Sequence, residues 1–599
     1  MFKNIKILFN FFPSKLKNKL FMIQIIVLVS SFLEVSTVFL IGPVVELASL
    51  NDITEGSFIV KTLYNFFNFE NYHSFLIFLI CSLIIIIFIS TLIIVISVYI
   101  FTKFSQELGN ILRTKLYSFF ILQPWIFHSQ SSNSTYLNKI IHEANRVSWN
   151  IILQILLTNA KVFTALIIIC GLIIYNPKVT LICLFIFSTS YILFFKLLKN
   201  SMQKAGESMS TTQGKMFQVI NESFNGIREA IIYGKQMDFY KKFSSSSFIY
   251  AKSLQKISLL GIVPRYILEL IAFLVVFIFF LIFAINNQSI NLLTALPILA
   301  TYAFAGYKLL PIFQQIYFGF VQIKSNYSAL ESVSGELESI TRNKPNFNNK
   351  NELKETLPIL NNITFNNVSY NYKNSERIAV DNIYIKITRN SINAIVGPSG
   401  SGKTTLLDMF LGLLQPQNGN IEIDDKKLDV NDIRKWQNNI SYVGQNVFLL
   451  DDTIKKNICF NLDDDQIDTE KFKNALIISD VSSFLKEIKD AEDTIVGERG
   501  IKLSGGQRQR VAIARALYHD KDIIVFDEAT NSLDGISEKF IIDKLNTLSK
   551  SKIILMVTHN IRLTKSADRI HLLNGGKVLQ SGVFSELTNN DVFNKLLNE

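Results

Sequence analysis

Between residues 20 and 330 the chain carries a succession of apolar runs long enough to cross a lipid bilayer, and this restricts its fold more than any other feature. A crossing takes ~20 mostly apolar residues in a helix, because the hydrocarbon offers no water to a bare backbone. Qualifying runs begin near Leu20, His73, Trp149, Val179, Gly261 and Asn291. That pattern predicts about six spanning helices. Residues 350–599 instead mix charged and apolar residues, as a water-soluble domain does. The mean hydropathy of +0.28 averages two unlike halves. The basic start, residues 1–20, shows no short apolar core followed by a small-residue cleavage site, so it does not read as a cleaved leader.

A net charge of +11 would suit a nucleic-acid partner, but the placement of the charges argues for topology and against nucleic acid. Lys3, Lys6, Lys15, Lys17 and Lys19 precede the first run. Lys103, Arg113, Lys115, Lys139 and Arg146 lie between the second and third, and a further basic series from Lys199 through Lys256 separates the fourth from the fifth. The alternate loops hold little beyond Lys61 and Lys178. Both termini are therefore expected in the cytoplasm. The two basic connectors, roughly 45 and 60 residues long, exceed ordinary helix–helix loops. Their mixed pattern predicts cytosolic continuations of the spanning helices, with a floppy loop as the alternative; the candidate crossing segments are Phe127–Tyr136 and Asn225–Phe239. The outer loop Asn51–Tyr72 contains an amphipathic stretch, Phe58–Phe67, suited to the outer interface. Cys81, Cys170, Cys183 and Cys459 are far apart and read as packing thiols.

The expected domains are a membrane domain over 1–340, a polar Asn-rich linker over 341–359 and a nucleotide-binding domain over 360–599. In the last, a strand (INAIV) runs into Gly397, Pro398, Ser399, Gly400, Ser401, Gly402, Lys403, Thr404 and Thr405, which fit G-x-x-x-x-G-K-[ST]. The glycines let backbone N–H groups approach phosphate oxygens, and the following helix points its positive end at them. Lys403 supplies a charge to the β- and γ-phosphates, and Thr404 a hydroxyl for Mg²⁺. Downstream, IIVFDEAT puts Asp527 and Glu528 at the end of a buried strand, where Asp527 would hold Mg²⁺ and Glu528 would polarise a water.

These motifs make the segment resemble an ATP-binding cassette, and LSGGQRQR at Leu503–Arg510 matches that family's signature. The resemblance implies an α/β P-loop ATPase with a helical subdomain, fused here to an all-α exporter-type membrane domain. It implies ATP and Mg²⁺ as ligands, and a role for each matching residue: Tyr372 stacking on adenine, Gln445 sensing the γ-phosphate and Mg²⁺, His559 contacting the γ-phosphate. Ser532, Leu533 and Asp534 match the loop after the catalytic carboxylate, and Thr494–Gly500 the exporter loop that touches crossing segments. Leu503, Ser504, Gly505, Gly506 and Gln507 would act on the nucleotide of a second subunit. One chain supplies half of each site, so a homodimer follows.

Ionisable residues inside spans are costly and draw attention to cargo. Glu34 falls in the first run, Lys161 in the third, Arg265 and Glu269 in the fifth, and Lys308 in the sixth. Mutual neutralisation is the plain reading, with Arg265 and Glu269 four apart on one face. The sharper reading offers Lys161, Arg265 and Lys308 to an anionic headgroup. Phe32–Ser49, Val263–Phe273 and Tyr307–Ile316 resemble segments of bacterial lipid-linked-oligosaccharide flippases of the PglK type. That resemblance implies a polyprenyl-diphosphate-linked glycan moved to the outer leaflet of the bacterial inner membrane. A multidrug or lipid exporter is the alternative. An ATP-gated channel or regulatory ATPase is a more distant one, since Glu528 is intact.

Overall fold

The computed structural model describes residues 2–49, 58–67, 69, 71–175, 177–285, 292–342, 355–373, 377–460, 462–530 and 532–598. Two compact units emerge: Met1–Gln123 with Gln130–Pro345, and Asn346–Glu599 with Pro124–Ser129. Most of the linker expected at 341–359 lies outside the described residues.

The first unit is helical: α1 (Phe2–Phe11), α2 (Ser14–Phe39), α3 (Ile41–Ser49), α4 (Phe58–Phe67) and α5 (Tyr72–Ile121) come first. After α6 (Trp125–Ser129), which belongs to the second unit, follow α7 (Asn133–Leu137), α8 (Ala144–Arg146), α9 (Leu153–Tyr175), α10 (Pro177–Asn225), α11 (Ile227–Ile232), α12 (Gln236–Ile285), α13 (Leu292–Ser325) and α14 (Tyr327–Arg342). Among the described residues, four stretches are long and apolar enough to cross a membrane: Ser14–Val45, His73–Ile121, Asn133–Ile174 and Thr180–Asn225. The runs near Gly261 and Asn291 fall on α12 and α13, and residues 286–291 between them lie outside the described residues. The long α10 and α12 pair side by side, with Ser253 Oγ donating to Ser208 Oγ at 3.1 Å.

The first crossing segment sits earlier than expected. Pro124 has no N–H to give and restricts the residue before it, so α5 stops at Ile121 and the short helix is Trp125–Ser129, while Asn133–Leu137 already belongs to the next long element. The second falls within its expected limits as α11, with Gly234 after it at φ 63°. Two π-helical turns, Asn138–Glu143 and Val147–Ile152, widen the third long element on either side of Arg146. Arg146, one of the basic residues used to read the topology, is only 4% exposed. Its guanidinium donates to Glu143 at 3.0 Å, to Asn326 at 2.9 Å and to Ser210, so the buried charge is paired and hydrogen-bonded.

The second unit holds two sheets. β1 (Asn362–Tyr370), β2 (Val380–Thr388), β4 (Asn418–Ile423) and β5 (Lys426–Lys427) form an antiparallel sheet in the order β2-β1-β4-β5. β3 (Ile392–Val396), β6 (Ile440–Val443), β7 (Ile523–Asp527), β8 (Ile553–Thr558), β9 (Arg569–Asn574) and β10 (Lys577–Gly582) form the order β10-β9-β3-β8-β7-β6, parallel except for β10. The helices are α15 (Lys403–Phe410), α16 (Ile433–Gln437), α17 (Ile454–Ile458), α18 (Thr469–Ile478), α19 (Val481–Leu485), α20 (Gly505–Tyr518), α21 (Gly535–Leu548), α22 (Phe584–Leu587) and α23 (Asp591–Asn598).

The central strands are apolar at almost every position because both their faces are covered. Ile395, Ile523, Val525, Ile553, Leu555 and Val557 pack toward α15 and the antiparallel sheet. Their neighbours Ala394, Val396, Ile524, Phe526, Ile554 and Met556 pack toward α20, α21 and α23. Each fully buried aliphatic side chain contributes about 1.5–3 kcal/mol, so this alternation fixes the register that ends β3 and β7 at the same edge. A separate core of α17–α20, including Ile458, Phe472, Phe484 and Val511, builds the helical subdomain.

Candidate functional site

The phosphate loop leaves the buried strand β3 and enters α15. Gly402 sits at φ 101°, and a Cβ there would stand 2.4 Å from the Ala379 carbonyl, so only glycine fits. Lys403 folds back into the loop, its Nζ donating to the carbonyls of Gly397 at 2.7 Å and Pro398 at 3.0 Å. Burial lowers the Lys403 pKa, while Glu528 and Asp527 act to keep its charge. The Ser401 hydroxyl is buried and lacks a hydrogen-bond partner among the described residues. An orphaned donor in a loop of backbone N–H groups is what an arriving phosphate would satisfy.

Asp527 ends β7 and accepts from the Tyr442 hydroxyl at 3.1 Å. Burial, with Glu528 adding like charge, raises its pKa. Glu528 follows at φ 50°, a left-handed conformation uncommon outside glycine. Its backbone N–H is tied to the Val557 carbonyl at 2.8 Å. The turned side chain accepts from Gln445 Nε2 at 2.6 Å and lies 3.1 Å from His559 Nδ1. Three residues from the ends of β6, β7 and β8, 114 positions apart from first to last (559 − 445), thus meet on one carboxylate. Tyr372 lies beside the loop, its hydroxyl 3.4 Å from Thr405 Oγ1. Thr404, Asp527 and Gln445 offer hard oxygen donors of the kind Mg²⁺ takes alongside phosphates. Among the described residues no cluster of three or more His, Cys, Asp or Glu gathers.

Ser504 caps α20 in a reciprocal capping box with Gln507, and Gly505 and Gly506 form its half-buried first turn. A Cβ on Gly506 would stand 3.0 Å from the Ser532 carbonyl, so the signature packs beside Ser532 and Leu533 of its own chain. Asp534 caps α21 through Ser537 and pairs with Arg510 at 3.5 Å. Among the described residues, no hydrogen bond or ion pair joins Leu503–Gln507 to Gly397–Thr404. Asn531 lies outside the described residues.

Three residues of this site were missed in the sequence. Tyr442, which orients Asp527, could have been found as the polar-tipped residue of the alternating strand ISYV. Asp408, on α15, is raised to about 6 by burial and by Asp527, and a hydrogen bond from Trp125 opposes that rise. Trp125 is on α6, so the crossing helix reaches the helix that follows the phosphate loop; no sequence spacing announces that contact.

In the membrane unit, Lys161 Nζ lies 3.1 and 3.2 Å from the two carboxylate oxygens of Glu34. Arg265 pairs with Glu269 at 2.7 Å on α12. Lys308, on α13, makes no ion pair with a described residue.

A spanning helical unit joined to a phosphate-loop domain with this catalytic edge defines an ATP-hydrolysing membrane transporter. The ABC transporter transmembrane region model matches residues 20–307, and the ABC transporter ATPase model residues 380–531. The chain belongs to the ABC transporter family, as an exporter-type half-transporter. It is 28% identical over 81% of its length, and 82% of the relative's, to ATP-dependent lipid A-core flippase 2 of Colwellia psychrerythraea. It is 36% identical to the ATP-dependent lipid A-core flippase of Ralstonia nicotianae, over 38% of this chain and 39% of that protein. In fold it resembles a bacterial Atm1-family ABC exporter with ATP bound, with a TM-score of 0.76 over 98% of this chain and 99% of that one, at 19% identity.

Proposed function

We propose that two copies of this chain form an ATP-driven flippase for a lipid with an anionic glycan headgroup, a polyprenyl-diphosphate-linked oligosaccharide in the sharpest form of the reading. The lipid moves from the cytoplasmic to the outer leaflet of a bacterial inner membrane, with both termini and both ATPase domains in the cytoplasm. The division of the site carries the assembly: Glu528 lies close enough to Lys403 of the phosphate loop to act on its charge, while among the described residues the signature on α20 makes no hydrogen bond or ion pair to that loop. A second copy in opposed orientation supplies the missing half. Relatives named as lipid A-core flippases support a lipid cargo. Cations on apolar helices suit a headgroup bearing phosphate.

Glu528 orients and deprotonates the attacking water, Gln445 and His559 hold Glu528, and Lys403 neutralises phosphate charge. Mg²⁺, held by Thr404, Asp527 and Gln445 with the phosphates, would add Lewis-acid stabilisation of the developing charge. Closure of the two ATPase domains is passed to the membrane helices through the crossing segments. The test is ATPase stimulation and leaflet transfer in liposomes, with a polyprenyl-diphosphate oligosaccharide set against a panel of drugs. Stimulation and transfer by the glycan lipid support the reading; stimulation by drugs alone would replace it with a multidrug exporter.

A further inference from the structure

We infer that Lys161 is the contact for a phosphate group of the lipid headgroup, and that Glu34 is its resident counter-ion, which the headgroup displaces. This rests on the flippase reading and adds to it the residue and the chemistry of selection.

The pair lies where an ion pair is hardest to explain as glue. Both residues fall in stretches apolar enough to span the membrane, Ser14–Val45 and Asn133–Ile174. Removing two charges from water is costly, and well-packed apolar residues in place of a buried pair often hold helices as well or better. The α2–α9 contact has other fastenings. Thr164 Oγ1 donates to Ser31 Oγ at 2.9 Å, and Asn159 donates to Gln24 at 2.9 Å. Phe39 packs so tightly on Gly171 that a Cβ there would meet the ring at 2.1 Å. Val35, Val38, Ala165 and Ile168 form one buried cluster with Ala305 and Ile312 of α13.

The two partners are also unequally placed. The Glu34 side chain is 9% exposed and that of Lys161 28%. The carboxylate is nearly enclosed, and the lysine side chain is the more exposed of the two. Two N–H groups of Lys161 face Glu34, and an ammonium has three. An anion that approaches the more exposed partner therefore meets a donor. Without a ligand the pair is neutral, which keeps the cost of a charge at this depth low. With phosphate bound, the lysine is shared or transferred. Glu34 then sets a threshold: a neutral or cationic lipid gives the lysine no reason to leave its partner, and a phosphate does.

The chemistry recognised is a phosphate ester or diphosphate on a lipid, and the experiment separates these sources. Full-length protein in phosphatidylcholine nanodiscs is titrated with polyprenyl diphosphate, polyprenyl monophosphate, the uncharged polyprenol and a cationic amphiphile, and the half-saturating concentration for ATPase stimulation is read. Lys161→Gln should raise that concentration for phosphate lipids tenfold or more. Glu34→Gln should lower it severalfold, because the internal competitor is gone. The exchange of the two, Glu34→Lys with Lys161→Glu, retains an ion pair and should retain the melting temperature while losing the phosphate response. Preference for the diphosphate over the monophosphate by wild type would point to a polyprenyl diphosphate carrier; equal response would point to a phosphorylated lipid more generally.

Equal weakening by Lys161→Gln and Glu34→Gln would make the pair structural and overturn the inference. So would a phosphate response surviving the exchange, or stimulation by the cationic amphiphile that depends on Glu34. A wild-type protein deaf to every phosphate lipid would overturn the cargo reading itself, and this inference with it. A responsive wild type with an unaffected Lys161→Gln would overturn the inference alone.

Discussion

Gln445 donates Nε2 to Glu528 at 2.6 Å, so the carboxylate at the end of β7 is oriented by the residue that follows the neighbouring strand. Glu528 is held on its other oxygen by His559, and its left-handed backbone turns it out of the strand direction. Restraint from both sides is the geometry that the role proposed for Glu528 requires.

Glu528→Gln keeps the shape and loses the base. Turnover should fall by about 10²–10⁴-fold, the usual range for removing a general base, while ATP affinity stays within a few-fold. Phosphate-release kinetics and nucleotide binding on the same preparation check both parts. Wild-type turnover in the variant would remove Glu528 from the chemistry.

Much of this edge was readable because phosphate chemistry demands particular residues at particular spacings: Lys403, Asp527 and the signature announce themselves. The strands were readable for another reason, since β3, β7 and β8 are apolar at almost every position. What the sequence hid are features made by contact. Glu528 takes a positive φ because β8 fixes its N–H. Tyr442 matters because β6 pairs beside β7. Arg146 looked like a surface charge, and only the approach of Asn326 and Ser210 shows that it is buried. The first short helix lies earlier than the spacing predicts because Pro124 ends α5.

Gly402→Ala should abolish useful nucleotide binding. The added methyl would sit 2.4 Å from a backbone carbonyl, in a conformation that already strains any L-residue. A loss of ATP affinity of tenfold or more is expected in a fluorescent-nucleotide titration. Unchanged affinity would mean that the loop relaxes away from Ala379.

Trp125→Phe keeps an aromatic ring on α6 but removes the donor to Asp408. A hydrogen bond to a charged group contributes about 1.5–3 kcal/mol, enough to alter docking of α6 without unfolding the domain. Cargo-stimulated ATPase should fall severalfold, and basal ATPase less. Parallel measurement with and without lipid cargo decides it: equal loss in both would make Trp125 a packing residue only.

His571 lies in β9, 1% exposed, with Nδ1 2.8 Å from Ser581 Oγ, and burial with nearby Arg569 lowers its pKa to about 4. In the unfolded chain it titrates near the ordinary value of about 6.5. Between these values the unfolded state binds the extra proton and the folded state does not, so stability falls as the pH drops through that window and is complete above it. A shift of this size corresponds to about 3 kcal/mol at most. Thermal melting should therefore show a marked fall from pH 7 to pH 5 in wild type, and a flatter dependence in His571→Gln, which cannot titrate. Identical slopes in the two proteins would place the acid sensitivity elsewhere in the molecule.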